Sequence, residues 1–113
     1  MELELVNQLV ESEKEGRSVV LATVIKSHGS SPREEGAQML VWPDNSIAGT
    51  IGGGPAEAEV IEKSSEMIKK NVEDPIKLNF RMDNDTSAEN GGICGGNVDI
   101  FLELYNFNNE GVH

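Results

Sequence analysis

The chain has one cysteine, one tryptophan and one tyrosine in 113 residues. A single thiol excludes an internal disulfide framework and a multi-cysteine metal site. Aromatic residues make up only 4% of the chain, so the core must be built from valine, isoleucine, leucine and methionine. Basic residues are scarce: nine Lys and Arg stand against twenty Asp and Glu, a formal charge of −11. Nucleic-acid phosphates and anionic membrane surfaces are bound by basic patches, so neither is an expected partner. The surplus of one sign serves solubility, or docking on a basic protein face. No apolar run approaches the roughly 18 residues that span a membrane. The first residues lack the basic, apolar and small-residue order of a secretion signal. The expectation is a cytoplasmic protein in a reducing compartment.

What the chain does have is glycine, twelve in all. Much of it falls in two short runs, Gly49 to Glu57 (GTIGGGPAE) and Gly91 to Gly96 (GGICGG). Glycine adopts positive φ without strain and lets a ligand approach the backbone.

A length of 113 residues suits one small domain. The reading is a single domain over residues 1–105 with a flexible tail over 106–113. Residues 2–15 carry Leu5, Val6, Leu9 and Val10 at helical spacing, with Gly16 placed as a stop. Ser18 to Lys26 is β-branched and apolar, as in a central strand buried on both faces. Ser27 to Gly36 is dense in turn formers and reads as a loop. Ala37 to Trp42 and Ser46 to Ile51 read as a hairpin across Pro43–Asn45. Pro55 suits the first position of a helix running to about Asn71, with Ala56, Val60, Ile61, Met67 and Ile68 as its apolar stripe. Ile76, Leu78 and Phe80 alternate with polar residues, and so do Val98, Ile100, Leu102 and Leu104. The fold class is therefore α+β, or mixed α/β: a small mixed sheet of about five strands packed with two helices. Asp83 to Gly96 reads as a long polar loop, a kind that is often functional.

Three segments could carry chemistry. Arg33 is a planar fork for phosphate or carboxylate, with Ser30 and Ser31 as neutral donors. Taken alone, that segment better fits a solvated turn with Arg33 paired to Glu34 or Glu35. Gly52, Gly53 and Gly54 form a strand-to-helix turn whose free N–H groups suit an anion; the same turn also fits plain packing. It is neither a dinucleotide fingerprint nor a P-loop. Glu57 competes for those N–H groups, and could instead bond a neutral amide or pterin-like edge. Cys94, flanked by Gly95 and Gly96, is the lone thiol. Its reactivity depends on nearby positive charge, and no cation adjoins it in sequence; a buried inert cysteine fits as well. His28 has no histidine near it in metal-like spacing. Asp83, Asp85 and Glu89 lack the glycine and final acid of a calcium loop.

These three segments together resemble the XdhC/CoxI family. The run Leu21 to Val41, the segment Gly49 to Gly54 followed by Glu57, and Ile93 to Gly96 leading into a Val-Asp-Ile-Phe-Leu-Glu strand occur in the family's order. The resemblance implies an accessory protein for molybdenum hydroxylases such as xanthine dehydrogenase and carbon monoxide dehydrogenase. It implies binding of the molybdenum cofactor (molybdopterin) as cargo, and help with its sulfuration or insertion. It places Ser30, Ser31, Arg33, Gly52, Gly53, Gly54, Glu57, Gly95 and Gly96 at the cofactor and gives Cys94 a metal-binding or persulfide role. The only metal contact it implies is that of Cys94 to molybdenum. The partner implied is a molybdenum hydroxylase client; because the chain resembles the N-terminal domain of longer members, the resemblance implies either a separate Rossmann-domain protein or a stand-alone variant with a narrower role. A homodimer would complete an uncovered sheet edge. Where many members carry a second cysteine, this chain has Pro55. With no base legible for Cys94, a cofactor-binding chaperone ranks ahead of an enzyme. The alternative is a non-catalytic module that docks on a Rossmann-domain subunit or on the dehydrogenase without touching cofactor.

Overall fold

The structure is a computed structural model that describes residues 2–28, 35–81 and 97–107. In chain order the elements are helix α1 (Leu3–Glu15), strands β1 (Val19–His28), β2 (Gln38–Val41) and β3 (Ile47–Gly49), helix α2 (Gly54–Lys70), and strands β4 (Ile76–Arg81) and β5 (Asn97–Tyr105). The strands form one five-stranded sheet in the order β3-β2-β1-β5-β4. This is the α+β fold that the patterning implied.

Every pairing in the sheet is antiparallel, which narrows the expected mixed sheet. A strand–helix–strand unit gives a parallel pair only when its strands end up as neighbours. Here α2 carries the chain from one edge strand, β3, to the opposite edge strand, β4. The two run in the same direction but never touch.

The helices cover opposite faces. Under α2 lie Val20, Ala22, Val24, Met39, Val41, Ile51, Val98, Ile100 and Leu102, with Val60 and Met67 from the helix itself. Under α1 lie Val19, Leu21, Leu40 and Trp42, with Leu5 from the helix. Consecutive β1 residues thus feed two cores, as expected for a central strand whose side chains alternate. The stripe of α2 also contains Ser64, fully buried, whose hydroxyl has no hydrogen-bond partner among the described residues. Nothing in the surroundings explains why a polar group stands there.

Trp42 ties α1 to the sheet. Its indole Nε1 donates to Ser12 Oγ at 2.8 Å, and Ser12 Oγ donates to the Gln8 carbonyl at 2.9 Å. Buried polar groups cost stability unless paired, and this relay pairs both. Arg17 lies over the indole face, 5.5 Å from the ring centroid. Both helices end in a doubled backbone stop: Gly16 N–H donates to Glu13 and Arg17 N–H to Ser12, and Asn71 and Val72 repeat the pattern on Ile68 and Met67.

Two boundaries differ from expectation. Strand β1 runs on to His28, two residues into the segment read as loop, because Ser27 and His28 pair with Val98 and Asn97. Strand β3 is shorter than Ser46–Ile51, since only Ile47–Gly49 pair with β2. Asn106, read as the start of the tail, accepts from Ser18 Oγ and donates to Asn71 Oδ1. Phe107 stacks on Tyr105 with centroids 6.0 Å apart.

In the β2–β3 turn, Asp44 accepts from the Ser46 hydroxyl at 2.6 Å and the Ser46 N–H at 3.1 Å. These bonds, helped by Arg17, hold its carboxyl below the ordinary value of 3.8. A group depressed in the folded state adds stability that is present above its unfolded value and lost as pH falls through the folded one. Asp44 is therefore expected to titrate below the ordinary aspartate value in carbon-detected NMR, and Asp44→Asn to remove that increment of acid sensitivity. A normal Asp44 titration would rule the turn bonds out as stabilising.

Candidate functional site

The register places all strand ends that border the motifs at one end of the sheet. There β1 ends at His28, which pairs with Asn97 at the start of β5. Asn97 in turn pairs with Arg81 at the end of β4. Strand β2 begins at Gln38, and Met39 beside it pairs with Gly49 at the end of β3. The residues that bracket 29–34 and those that bracket 82–96 therefore share this end with the Gly49–Glu57 connection. Ser30, Ser31, Arg33, Cys94, Gly95 and Gly96 lie outside the described residues, as do the acidic residues Asp83, Asp85 and Glu89.

A register shift between Val24 and Lys26 interrupts the β1–β5 ladder at Ile25. A bulge of this kind bends the strand and re-aims the residues beyond it. On the other side of β1, Val24 N–H donates to Ala37 and Gly36 N–H donates to Val24. The chain leaving through His28 thus returns to β1 at the bulge.

The Gly49–Glu57 connection is described in full. Gly49 has φ +80°, and a Cβ there would stand 2.6 Å from the Gln38 carbonyl oxygen. Only glycine lets β3 end this close to β2. Gly52, Gly53 and Gly54 follow with φ of 120°, 75° and 74°. Between them and Gly49, Ile51 drives its side chain into the α2 core at 1% exposure. Glu57, in the first turn of α2, reaches back over the turn. Its Oε2 accepts from Thr50 Oγ1 at 2.6 Å, from Ile51 N at 3.2 Å and from Gly53 N at 3.3 Å. Thr50 Oγ1 also accepts from Gly52 N at 3.0 Å. The competition that Glu57 was expected to pose for these N–H groups is thus present. A carboxylate is at home there, because the N-terminus of a helix carries partial positive charge.

Beside this turn lies a groove of about 540 Å³, lined by Glu2, Leu5, Glu35, Gly36, Ala37, Gln38, Gly49 and Thr50. That volume lies within the range of small-molecule sites, about 300–1,000 Å³. A Cβ on Gly36 or Gly53 would meet nothing within 4 Å, so glycine leaves both places open. Gln38 Nε2 donates to Thr23 Oγ1 at 3.1 Å, which fixes the amide. Among the described lining residues the charges are the carboxylates of Glu2 and Glu35, with no cation. No group of three or more His, Cys, Asp or Glu able to hold a metal occurs among the described residues. A second, open depression runs along the outer side of α2, with Glu59, Glu62, Lys63, Glu66 and Lys70 in its lining. It is a surface of ion pairs, Lys63 and Lys70 both on Glu66, and lies away from the motif end.

Sequence reasoning did not single out Thr50, Gln38 or Gly36. Thr50 was legible in principle, as the one hydroxyl inside the glycine run. Gln38 and Gly36 join the site only through the β1–β2–β3 register, which no local pattern reveals.

The fold and groove define a small α+β domain that gathers glycine-rich connections at one end of its sheet. The chain belongs to the XdhC and CoxI family, whose pattern matches residues 12–75. It is 37% identical over 93 residues to the uncharacterized protein YqeB of Escherichia coli (strain K12), a match covering 82% of this chain and 17% of that one. It is 28% identical over 99 residues to a probable xanthine dehydrogenase subunit of Bacillus subtilis (strain 168), covering 88% of this chain and 29% of that one. A crystal structure of a xanthine dehydrogenase from Bacillus halodurans superposes with a TM-score of 0.64 at 27% identity, over 86% of this chain and 29% of that one. The match thus spans 17% and 29% of the length of the two curated relatives. No helix among the described residues is long and apolar enough to cross a membrane.

Proposed function

We propose that this domain serves the maturation of a molybdenum hydroxylase of the xanthine dehydrogenase type, holding the molybdenum cofactor as cargo and assisting its sulfuration or insertion. The observation that carries this reading is the convergence of the strand ends bordering all three motifs on one end of the sheet, beside a glycine-walled groove. Membership of the family and relatives named for xanthine dehydrogenase support it. The groove is of suitable size, and its described walls offer Thr50, Gln38 and the Glu2 carboxylate to the hydrogen-bond donors of a pterin. They offer no cation for a phosphate, a role the reading assigns to Arg33, with Ser30 and Ser31 beside it. Cys94, between Gly92–Ile93 and Gly95–Gly96, would supply a thiol for the metal or a persulfide. The client hydroxylase is the natural partner.

The test is anaerobic binding of isolated molybdenum cofactor to the purified protein, with Arg33→Ala and Cys94→Ala in parallel. Saturable binding is expected. Loss of a charge-assisted contact worth about 1.5–3 kcal/mol should weaken it by roughly 10- to 100-fold in Arg33→Ala. Binding unaffected by both substitutions would remove these residues from the site.

The surplus of negative charge favours a second reading, in which the domain docks on a basic face of a Rossmann-domain subunit or of the dehydrogenase and binds no cofactor. Capture of that partner would then be salt-sensitive and independent of cofactor.

A further inference from the structure

Thr50 lines the groove, whereas Glu57 does not. We infer that Glu57 is a positioning residue, whose carboxylate holds in shape the Gly49–Gly54 connection, of which Gly49 and Thr50 wall the groove, and that it acts on a ligand through Thr50 rather than by touching it. The inference rests on the cofactor reading above for its ligand, but not for the hydrogen bonds that carry it.

Three observations converge. First, a single oxygen, Oε2, accepts from the Thr50 hydroxyl and from the N–H groups of Ile51 and Gly53. That oxygen has no lone pair left for a ligand, and since Glu57 is not among the residues that line the groove, its second oxygen, Oε1, is not on the groove wall either. Second, Thr50 relays the same anchor one step further by accepting the Gly52 N–H. The Thr50 hydroxyl and the N–H groups of residues 51 to 53 thus lead to one carboxylate. Third, the turn needs an anchor. Successive glycines lose the most conformational freedom on ordering, and Gly52, Gly53 and Gly54 all stand at positive φ. Ile51 pins the turn from the core side, but its side chain fixes neither the N–H directions nor the Thr50 hydroxyl. Glu57 fixes both, from a helix whose Ala56 and Val60 are fully buried against the sheet.

The experiment combines residue-resolved amide hydrogen exchange of the free protein with binding of molybdenum cofactor released anaerobically from a molybdoenzyme, for Glu57→Ala, Glu57→Gln and Thr50→Val. Glu57→Ala should speed exchange at Ile51 and Gly53 by roughly tenfold or more, leaving Val60 and Met67 unchanged. It should weaken cofactor binding by a similar factor. Glu57→Gln keeps a carbonyl oxygen where Oε2 stands, so it should hold both readouts within about threefold of the parent, since the difference is that between charged and neutral acceptors. Thr50→Val should speed exchange at Gly52, and it keeps the test decisive if Glu57→Ala does not fold. Unchanged exchange at Ile51 and Gly53 in Glu57→Ala, or at Gly52 in Thr50→Val, would overturn the inference. So would a Glu57→Gln protein that keeps its protected turn but loses cofactor as fully as Glu57→Ala, because the charge would then be meeting the ligand directly. If the parent protein binds no cofactor while exchange responds as described, the positioning role of Glu57 stands and the cofactor reading fails.

Discussion

Gly49→Ala is expected to lower stability by about 2–5 kcal/mol. Left-handed backbone costs a residue with a Cβ about 1–2 kcal/mol, and forcing atoms into a filled space costs about 1–3 kcal/mol more. Both apply here. Gly49 has φ +80°, and the new methyl would stand 2.6 Å from the Gln38 carbonyl oxygen and 3.3 Å from both Leu5 methyl groups. The Gln38 carbonyl belongs to the β2 backbone and cannot turn aside without breaking strand pairing. Gly53→Ala is the natural control. Its φ and ψ of 75° and −171° are also glycine territory, but its Cβ would meet nothing within 4 Å. It should cost only the strain, about 1–3 kcal/mol. Urea titrations at unchanged slope would separate the two. A Gly49→Ala loss no larger than that of Gly53→Ala would mean that β2 and β3 do not approach as closely as described.

Trp42→Ala should cost about 3–5 kcal/mol, the usual range for truncating a large buried aromatic. Trp42 is 5% exposed and packs with Leu5, Val19, Leu21 and Leu40. It is the largest link between α1 and the sheet, so its loss should appear as fraying of α1 before the rest of the molecule. The hydrogen bond can be isolated from the packing. Ser12→Ala leaves the indole N–H without its acceptor and should cost about 1–3 kcal/mol. In a Trp42→Phe background the same change should cost much less, because no donor is left stranded. Equal costs in both backgrounds would show that the Ser12–Trp42 bond contributes nothing. Far-ultraviolet circular dichroism is the suitable signal, since the chain has only this tryptophan.

The legible and illegible parts of this fold divide along physical lines. Strands β1 and β5 and helix α2 declared themselves through burial. Val98, Ile100 and Leu102 are fully buried at every second position, and Ala56, Val60 and Met67 recur at helical spacing on the buried side of α2. Local backbone chemistry was equally plain: Gly16 and Asn71 stop their helices, and Pro55 sits in the first turn of α2. What sequence could not supply was pairing between distant segments. Extension of β1 to His28 depends on Asn97 and Val98, and the antiparallel sheet depends on α2 crossing to the far edge. Ser64 was invisible for another reason, because a polar residue in a helical stripe normally marks the solvent side. In the site, the reach of Glu57 to the N–H groups of the glycine turn, those of Ile51 and Gly53, was foreseeable from their closeness in sequence. The groove was not, since it joins α1, the Glu35–Gln38 segment and Gly49–Thr50.

The central ladder of the sheet joins β1 and β5, the first and last strands. Its partners, such as Val20 and Leu104, are separated by nearly the whole described chain. During synthesis, β1 emerges early with valines on both faces and must wait for its main partner. The β1–β2–β3 meander and α2 can form meanwhile, but β1 keeps one open edge until residues 97–105 have left the ribosome. Pairings this distant fold slowly, and an apolar strand with a free edge invites association with other chains. Truncation within β5 should therefore yield aggregation rather than a smaller folded domain.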